Sequence, residues 1–191
     1  MAGRLSLVFL LLGAVQMLRA QPPQPPAPED FVNEVCHTIV DSSFDHYYLI
    51  AGADTCRFVK YDYDEWEKYY LKESVPFTTL NELSEKAWLS QDLHYFWKQQ
   101  GLEKAVCITV VKADTLLFPE RYGQADRRRP LDERLVFSFS LPQFTDDGRY
   151  AVIDLNSVCG ANCGLSLTCL FKRVQTGWKL IGRHVNYSSS P

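Results

Sequence analysis

The chain's six cysteines are its most reactive side chains, and their spacing limits what they can do. Cys159 and Cys163 lie so close together that a bond between them can close only their own loop. A thiol redox couple wants Cys-x-x-Cys at a helix start, where the dipole lowers a thiol pKa. Here three residues intervene and the flanks read as strands. A zinc site would recruit Cys169 and His184 beside Cys159 and Cys163. In an oxidising compartment the default is a structural disulfide. A ring this small gains less chain entropy than the ~3 kcal/mol of a 15-residue loop, so its use is to fix the shape of a strand connection. Cys36, Cys56, Cys107 and Cys169 then allow three pairings. Cys36–Cys56 with Cys107–Cys169 is preferred, because Cys107 and Cys169 both fall in mid-strand.

Carboxylates and aromatics crowd one stretch, Tyr61-Asp62-Tyr63-Asp64-Glu65-Trp66-Glu67-Lys68-Tyr69-Tyr70. Tyr61, Tyr63, Trp66 and Tyr69 form a candidate ligand surface, since aromatic faces beside carboxylates suit sugars and peptides. The competing reading is a helix that buries Trp66 and Tyr70 and turns its acids to water. Calcium could use Asp62, Asp64 and Glu65, but the twelve-residue calcium loop is absent. A carboxylate hydrolase could use Asp62, Asp64 or Asp154, and would need two of them within about 5–9 Å in a cleft. His37, His46, His94 and His184 have no paired-ligand spacing. There is no Gly-x-Ser-x-Gly elbow, no phosphate-cradling glycine loop and no dinucleotide fingerprint. The sequence therefore assigns no catalytic residue, no cofactor site and no metal site.

The compartment is read from the N-terminus. Arg4, the apolar run Leu5–Val15 and Ala20 have the three parts of a secretory signal over residues 1–20. The run is too short to span a bilayer, which takes about 20 apolar residues. Residues 21–28, Gln-Pro-Pro-Gln-Pro-Pro-Ala-Pro, form an extended spacer, and 29–187 read as a single globular domain. No later segment suits a membrane, so no stable insertion is expected after signal cleavage. The net charge of −3 argues against a nucleic-acid partner, which would ask for a basic stripe. Arg127-Arg128-Arg129, with Asp126, Asp132 and Glu133 close by, reads as a solvated loop. Asn186-Tyr187-Ser188 is a glycosylation sequon only in a eukaryotic host.

The elements that must position these groups change period along the chain. Pro28 and Glu29 open a helix with Phe31, Val32, Val35 and Ile39 as its apolar stripe, ended by Asp41-Ser42-Ser43. Tyr47–Ile50 and Cys56–Lys60 read as short strands. Thr79 and Glu82 make a capping box for a helix carrying Leu83, Ala87 and Trp88. A short helical stretch is expected over Leu93, Phe96 and Trp97, stopped by Gly101. From Ala105 the period becomes two: a strand to Val111, then strands around 135–141, 150–155, 165–171 and 178–180. Short connections between the later strands imply an antiparallel arrangement. The expected fold is α+β, with N-terminal helices packed on a C-terminal antiparallel β-meander.

Three segments carry a resemblance: Asp147-Gly148-Arg149-Tyr150-Ala151-Val152-Ile153, Cys159-Gly160-Ala161-Asn162-Cys163-Gly164 and Gly177-Trp178-Lys179-Leu180-Ile181. Together they resemble the C-terminal part of a group of exported bacterial proteins with a Cys-Gly-x-x-Cys-Gly strand-loop-strand pattern. The match covers about residues 135–185 and is faint over 43–118. This chain departs from the pattern in its further cysteines and in lacking a glycine run after Gly164. The group has no assigned activity, so the resemblance implies a secreted or periplasmic bacterial domain and supplies no catalytic residue. The expected job is a non-catalytic binding module for a protein, peptide or small-molecule ligand. The alternatives are a hydrolase with a carboxylate site, or an inhibitor or immunity-type partner marked by an exposed apolar patch.

Overall fold

The computed structural model of the chain describes residues 24–40, 45–58, 65, 66, 70–123, 135–160 and 163–189. The signal segment 1–20, Arg127–Arg129, and Tyr61, Asp62, Tyr63, Asp64 and Tyr69 lie outside these residues. Helix α1 (Pro28–Ile39) forms as its sequence predicts, with proline in the first turn beside Glu29 and Asp30. It ends at Val40, whose backbone is already extended.

Among the described residues seven strands form one sheet: β1 (Tyr47–Ile50), β2 (Ala105–Ile108), β3 (Val136–Phe139), β4 (Gln143–Phe144), β5 (Tyr150–Gly160), β6 (Cys163–Val174) and β7 (Gly177–Ser189). Their order is β2-β1-β3-β5-β6-β7, with β4 continuing along β5 beyond the end of β3. Pro142 lies between β3 and β4, where a residue without an N–H interrupts the ladder.

The expected helices-on-meander layout is corrected by this topology. Only β3 to β7 are antiparallel, whereas β1 runs parallel to both β2 and β3, so the sheet is mixed. The cause lies in two long connections. Residues 51–104 carry helix α2 (Phe77–Leu89) between β1 and β2, and helix α3 (Val110–Leu117) lies between β2 and β3. Crossovers of that length are what parallel neighbours require.

Local chemistry explains the other departures. The alternation Val106, Ile108, Val110 predicts strand to Val111, but Thr109 accepts the Lys112 N–H at 3.2 Å and caps α3 instead. Helix α2 starts at Phe77, directly behind Pro76, and not at the Thr79 capping box. Residues 55–58 are irregular, and 93–98 are not helical. A one-turn 3₁₀ segment, Gln99–Gly101, follows them. Gln99 closes the outer edge of β2: its Nε2 donates to Ala105 O, and its Oε1 accepts from Cys107 N, both at 2.7 Å.

Alternation gives the sheet two faces. The first is apolar along its length, through Leu49, Phe137, Phe139, Ile153, Leu155 and Phe171, and α1 covers it. Phe31 sits at its centre, edge-on to Phe144, Phe171 and Trp178 at 5.1, 5.6 and 5.1 Å. Polar side chains fix the helix there. Glu29 accepts from Tyr95 Oη at 2.7 Å and Lys98 N at 3.0 Å. Asn33 bonds Gly101 O at 2.7 Å and Glu103 N at 3.1 Å. Glu34 accepts from Trp178 N at 2.9 Å, and a Cβ on Gly177 (φ +121°) would collide with the same carboxylate oxygen.

The second face changes character along the strands. Val152, Leu170 and Ile181 lie under α2 through Leu80, Leu83 and Ala87. Tyr48, Ile50 and Val136 lie under α3 through Ala113 and Leu116. Between these two apolar patches the face is polar. Among the described residues no helix is long and apolar enough to cross a membrane.

Because Phe31 joins α1 to β4, β6 and β7 at once, Phe31→Ala is expected to cost about 3–5 kcal/mol of unfolding free energy in chemical denaturation.

Candidate functional site

The polar part of the second face consists of two rows running across the strands. Ser140, Asp154, Thr168 and His184 form one row, and Ser138, Asn156, Ser166 and Tyr187 the other. A bulge in β7 adds Asn186, whose Nδ2 reaches Thr168 Oγ1 at 3.0 Å. The chain leaving β1 crosses these rows. Asp54 forms a parallel bridge with Ser140 and donates its N–H to Phe139 O at 2.8 Å. Its Oδ2 accepts from Asn156 Nδ2 at 2.7 Å and Ser138 Oγ at 3.2 Å.

Asp154 lies beneath this crossing segment, 1% exposed. Thr168 Oγ1 donates to its Oδ1 at 2.6 Å, and the Arg57 backbone N–H donates to its Oδ2. Burial pushes the carboxyl up to about 6; the Thr168 and Arg57 bonds and the Arg57 charge resist that rise, and neighbouring Asp54 adds to it. With both oxygens bonded and the side chain sealed, Asp154 holds the segment 54–57 down and offers no open face to a substrate.

The polar face leads to the outer edge of β7. There, Lys72 N donates to Ile181 O at 2.7 Å and Leu71 bridges Gly182. Gly182 is required for this approach, because a Cβ would stand 2.8 Å from Leu71 Cδ2 and 3.1 Å from Trp66 Cζ3. Tyr70, Leu71 and Lys72 on one side, and Leu180 and Arg183 on the other, line a depression of about 370 Å³. His184, at the end of the polar row, forms its neighbour, with its ring 4.5 Å from that of Tyr70.

The residues singled out in the sequence are distributed widely. Trp66 of the candidate ligand surface is 2% exposed and packs against Phe58 and His184, so it belongs to the core. Its companions Tyr61, Tyr63 and Tyr69 lie outside the described residues, as do the carboxylates Asp62 and Asp64. Cys159 and Cys163 are joined by a disulfide with Cα atoms 5.3 Å apart, across the end of β5 and the start of β6. That bond removes them from a zinc site with Cys169 and His184, whose side chains also belong to opposite faces.

The two longer-range disulfides expected from the sequence do not form: Cys36, Cys56, Cys107 and Cys169 are thiols. Cys36 is buried on the first face and Cys56 on the second, with the sheet between them. Cys107 on β2 and Cys169 on β6 are four strand spacings apart, roughly 19 Å at ~4.8 Å each. Cys36 Sγ lies 3.1 Å from Tyr47 Oη in a hydrogen bond. Burial pushes the thiols of Cys56 and Cys169 up to about 12, which leaves them poor nucleophiles.

Sequence reasoning missed Lys72, Gly182 and Arg183. An isolated glycine within a strand pattern is a signal of close backbone approach, and Gly182 carried that signal. No family model matches the chain, and no curated protein or solved structure is found to be similar to it.

Alkylation of the unfolded, unreduced protein is expected to label Cys36, Cys56, Cys107 and Cys169 and to leave Cys159 and Cys163 unlabelled until a reductant is added, which peptide mass mapping checks. Asp154 makes a second prediction. Its native carboxyl holds a proton up to about pH 6, whereas the unfolded one releases it near 4, so between these values the native state binds more protons. Stability is therefore lost as pH rises through this window, by roughly 3 kcal/mol from this group. Denaturation curves of the wild type and Asp154→Asn should show the wild type losing that amount relative to the variant between about pH 4 and 7.

Proposed function

We propose that the protein is an exported, non-catalytic binding module that seats a small polar ligand in the depression at the edge of β7. The depression itself carries this reading. Its volume of about 370 Å³ falls within the range of small-molecule sites. Leu71 and Leu180 give it apolar walls, and Lys72, Arg183 and Tyr70 line it from two segments distant in sequence. Export is supported by the signal pattern of residues 1–20 and by the Cys159–Cys163 disulfide, which oxidising compartments permit. The hydrolase alternative is weakened by the sealing of Asp154 under residues 54–57.

A second reading, an inhibitor or immunity-type partner of another secreted protein, is favoured by one separate observation. Trp88, Leu89, Leu93 and Phe96 are 68, 74, 60 and 69% exposed around the C-terminal end of α2. Such a run of large apolar side chains suits a protein contact better than a small ligand.

A screen of the isotope-labelled mature chain against sugars, amino acids, small carboxylates and phosphorylated metabolites separates the two readings. At least one compound is expected to shift backbone amides clustered at 70–72 and 180–183. Shifts confined to 88–96, or no ligand from any class, would contradict the binding-module reading.

A further inference from the structure

Resting on the binding-module reading, we propose that the ligand carries an oxyanion, carboxylate or phosphate, seated between Lys72 and Arg183. Both cations line the depression from opposite sides, and among the described residues neither is ion-paired with a carboxylate. The carboxylate nearest in sequence is already engaged. Glu73 holds Lys172 at 2.6 Å and Lys179 at 2.8 Å, on β6 and β7. Its charge is spent on those two lysines, which leaves Lys72 and Arg183 as the cations of the depression.

Two such cations lining one depression attract anions there, in a chain whose net charge is −3. The two cations also differ usefully. The planar guanidinium of Arg183 matches the paired oxygens of a carboxylate or phosphate, while the ammonium of Lys72 acts as a point charge. Tyr70, with His184 against its ring, supplies an aromatic wall beside the anion, and Leu71 and Leu180 accommodate an apolar portion. A small depression of this kind, in an acidic chain, fits a compact oxyanion-bearing molecule and not a polyanionic surface.

The test uses the mature chain and three probes: succinate, inorganic phosphate and the neutral polyol sorbitol. Binding is measured by calorimetry and by amide shifts, in the wild type, Lys72→Gln, Arg183→Gln and the double variant. Both side chains are exposed, so the variants should keep the wild-type melting temperature. Succinate or phosphate is expected to shift residues 70–72 and 180–183. The affinity should fall at least tenfold in the double variant and decline with added salt, and whichever probe binds more tightly names the oxyanion. Undiminished anion binding in the double variant would overturn the inference. Sorbitol binding at the same residues without either anion would overturn it too, while leaving the binding-module reading intact. Absence of binding by all three probes at these residues would also overturn it, and the wider ligand screen then decides the module reading separately.

Discussion

The architecture depends on a change of side-chain character within one face of the sheet. Along β5, β6 and β7, the step from Val152, Leu170 and Ile181 to Asp154, Thr168 and His184 turns an apolar patch into a polar one. Helix α2 can cover the first patch because burying Leu80, Leu83 and Ala87 there removes apolar surface from water on both sides. It could not cover the second without leaving buried polar groups unpaired, which costs more than the burial returns. A backbone segment with its own donors must lie there instead. Residues 54–57 do this, with Arg57 supplying its N–H to Asp154 and Asp54 receiving Asn156 and Ser138.

This arrangement links the interior to the edge. The segment that crosses the polar rows continues into Phe58, which packs on Trp66, and Trp66 lies against the position where Gly182 has no side chain. Leu71 and Lys72 then reach the outer edge of β7 and build one wall of the depression. The opposite face meets this sequence of contacts at Leu180, which lines the depression and packs on the first-face core. It is held by α1, with Phe31 among three aromatic rings and Glu29, Asn33 and Glu34 bonding the flanking backbone.

The sequence made part of this legible. Period-two alternation located β5, β6 and the start of β7 and their antiparallel order, because their connections are short and turn residues mark them. Pro28 with two following acids located α1. The parallel half of the sheet was not legible, since β1 and β2 are four residues each and nothing local in Tyr47–Ile50 encodes the direction of its neighbours. Helix α3 was hidden because Val110 and Val111 prolong a strand pattern, and one hydroxyl, that of Thr109, decides otherwise. The cysteines misled for a related reason: mid-strand placement says nothing about which strands are neighbours. The depression was hidden because Lys72 and Arg183 are ordinary surface cations in sequence, joined only by a close approach at Gly182.

Residue-resolved amide hydrogen exchange tests this account most directly, because its two decisive contacts use backbone N–H groups outside the named strands. The N–H of Arg57, bonded to buried Asp154, and that of Lys72, bonded to Ile181 O, should exchange slowly, with protection approaching that of the β5–β6 ladder. If both exchange at the rates of open loops, the crossing segment and the β7 edge contact do not hold, and the site built on them fails.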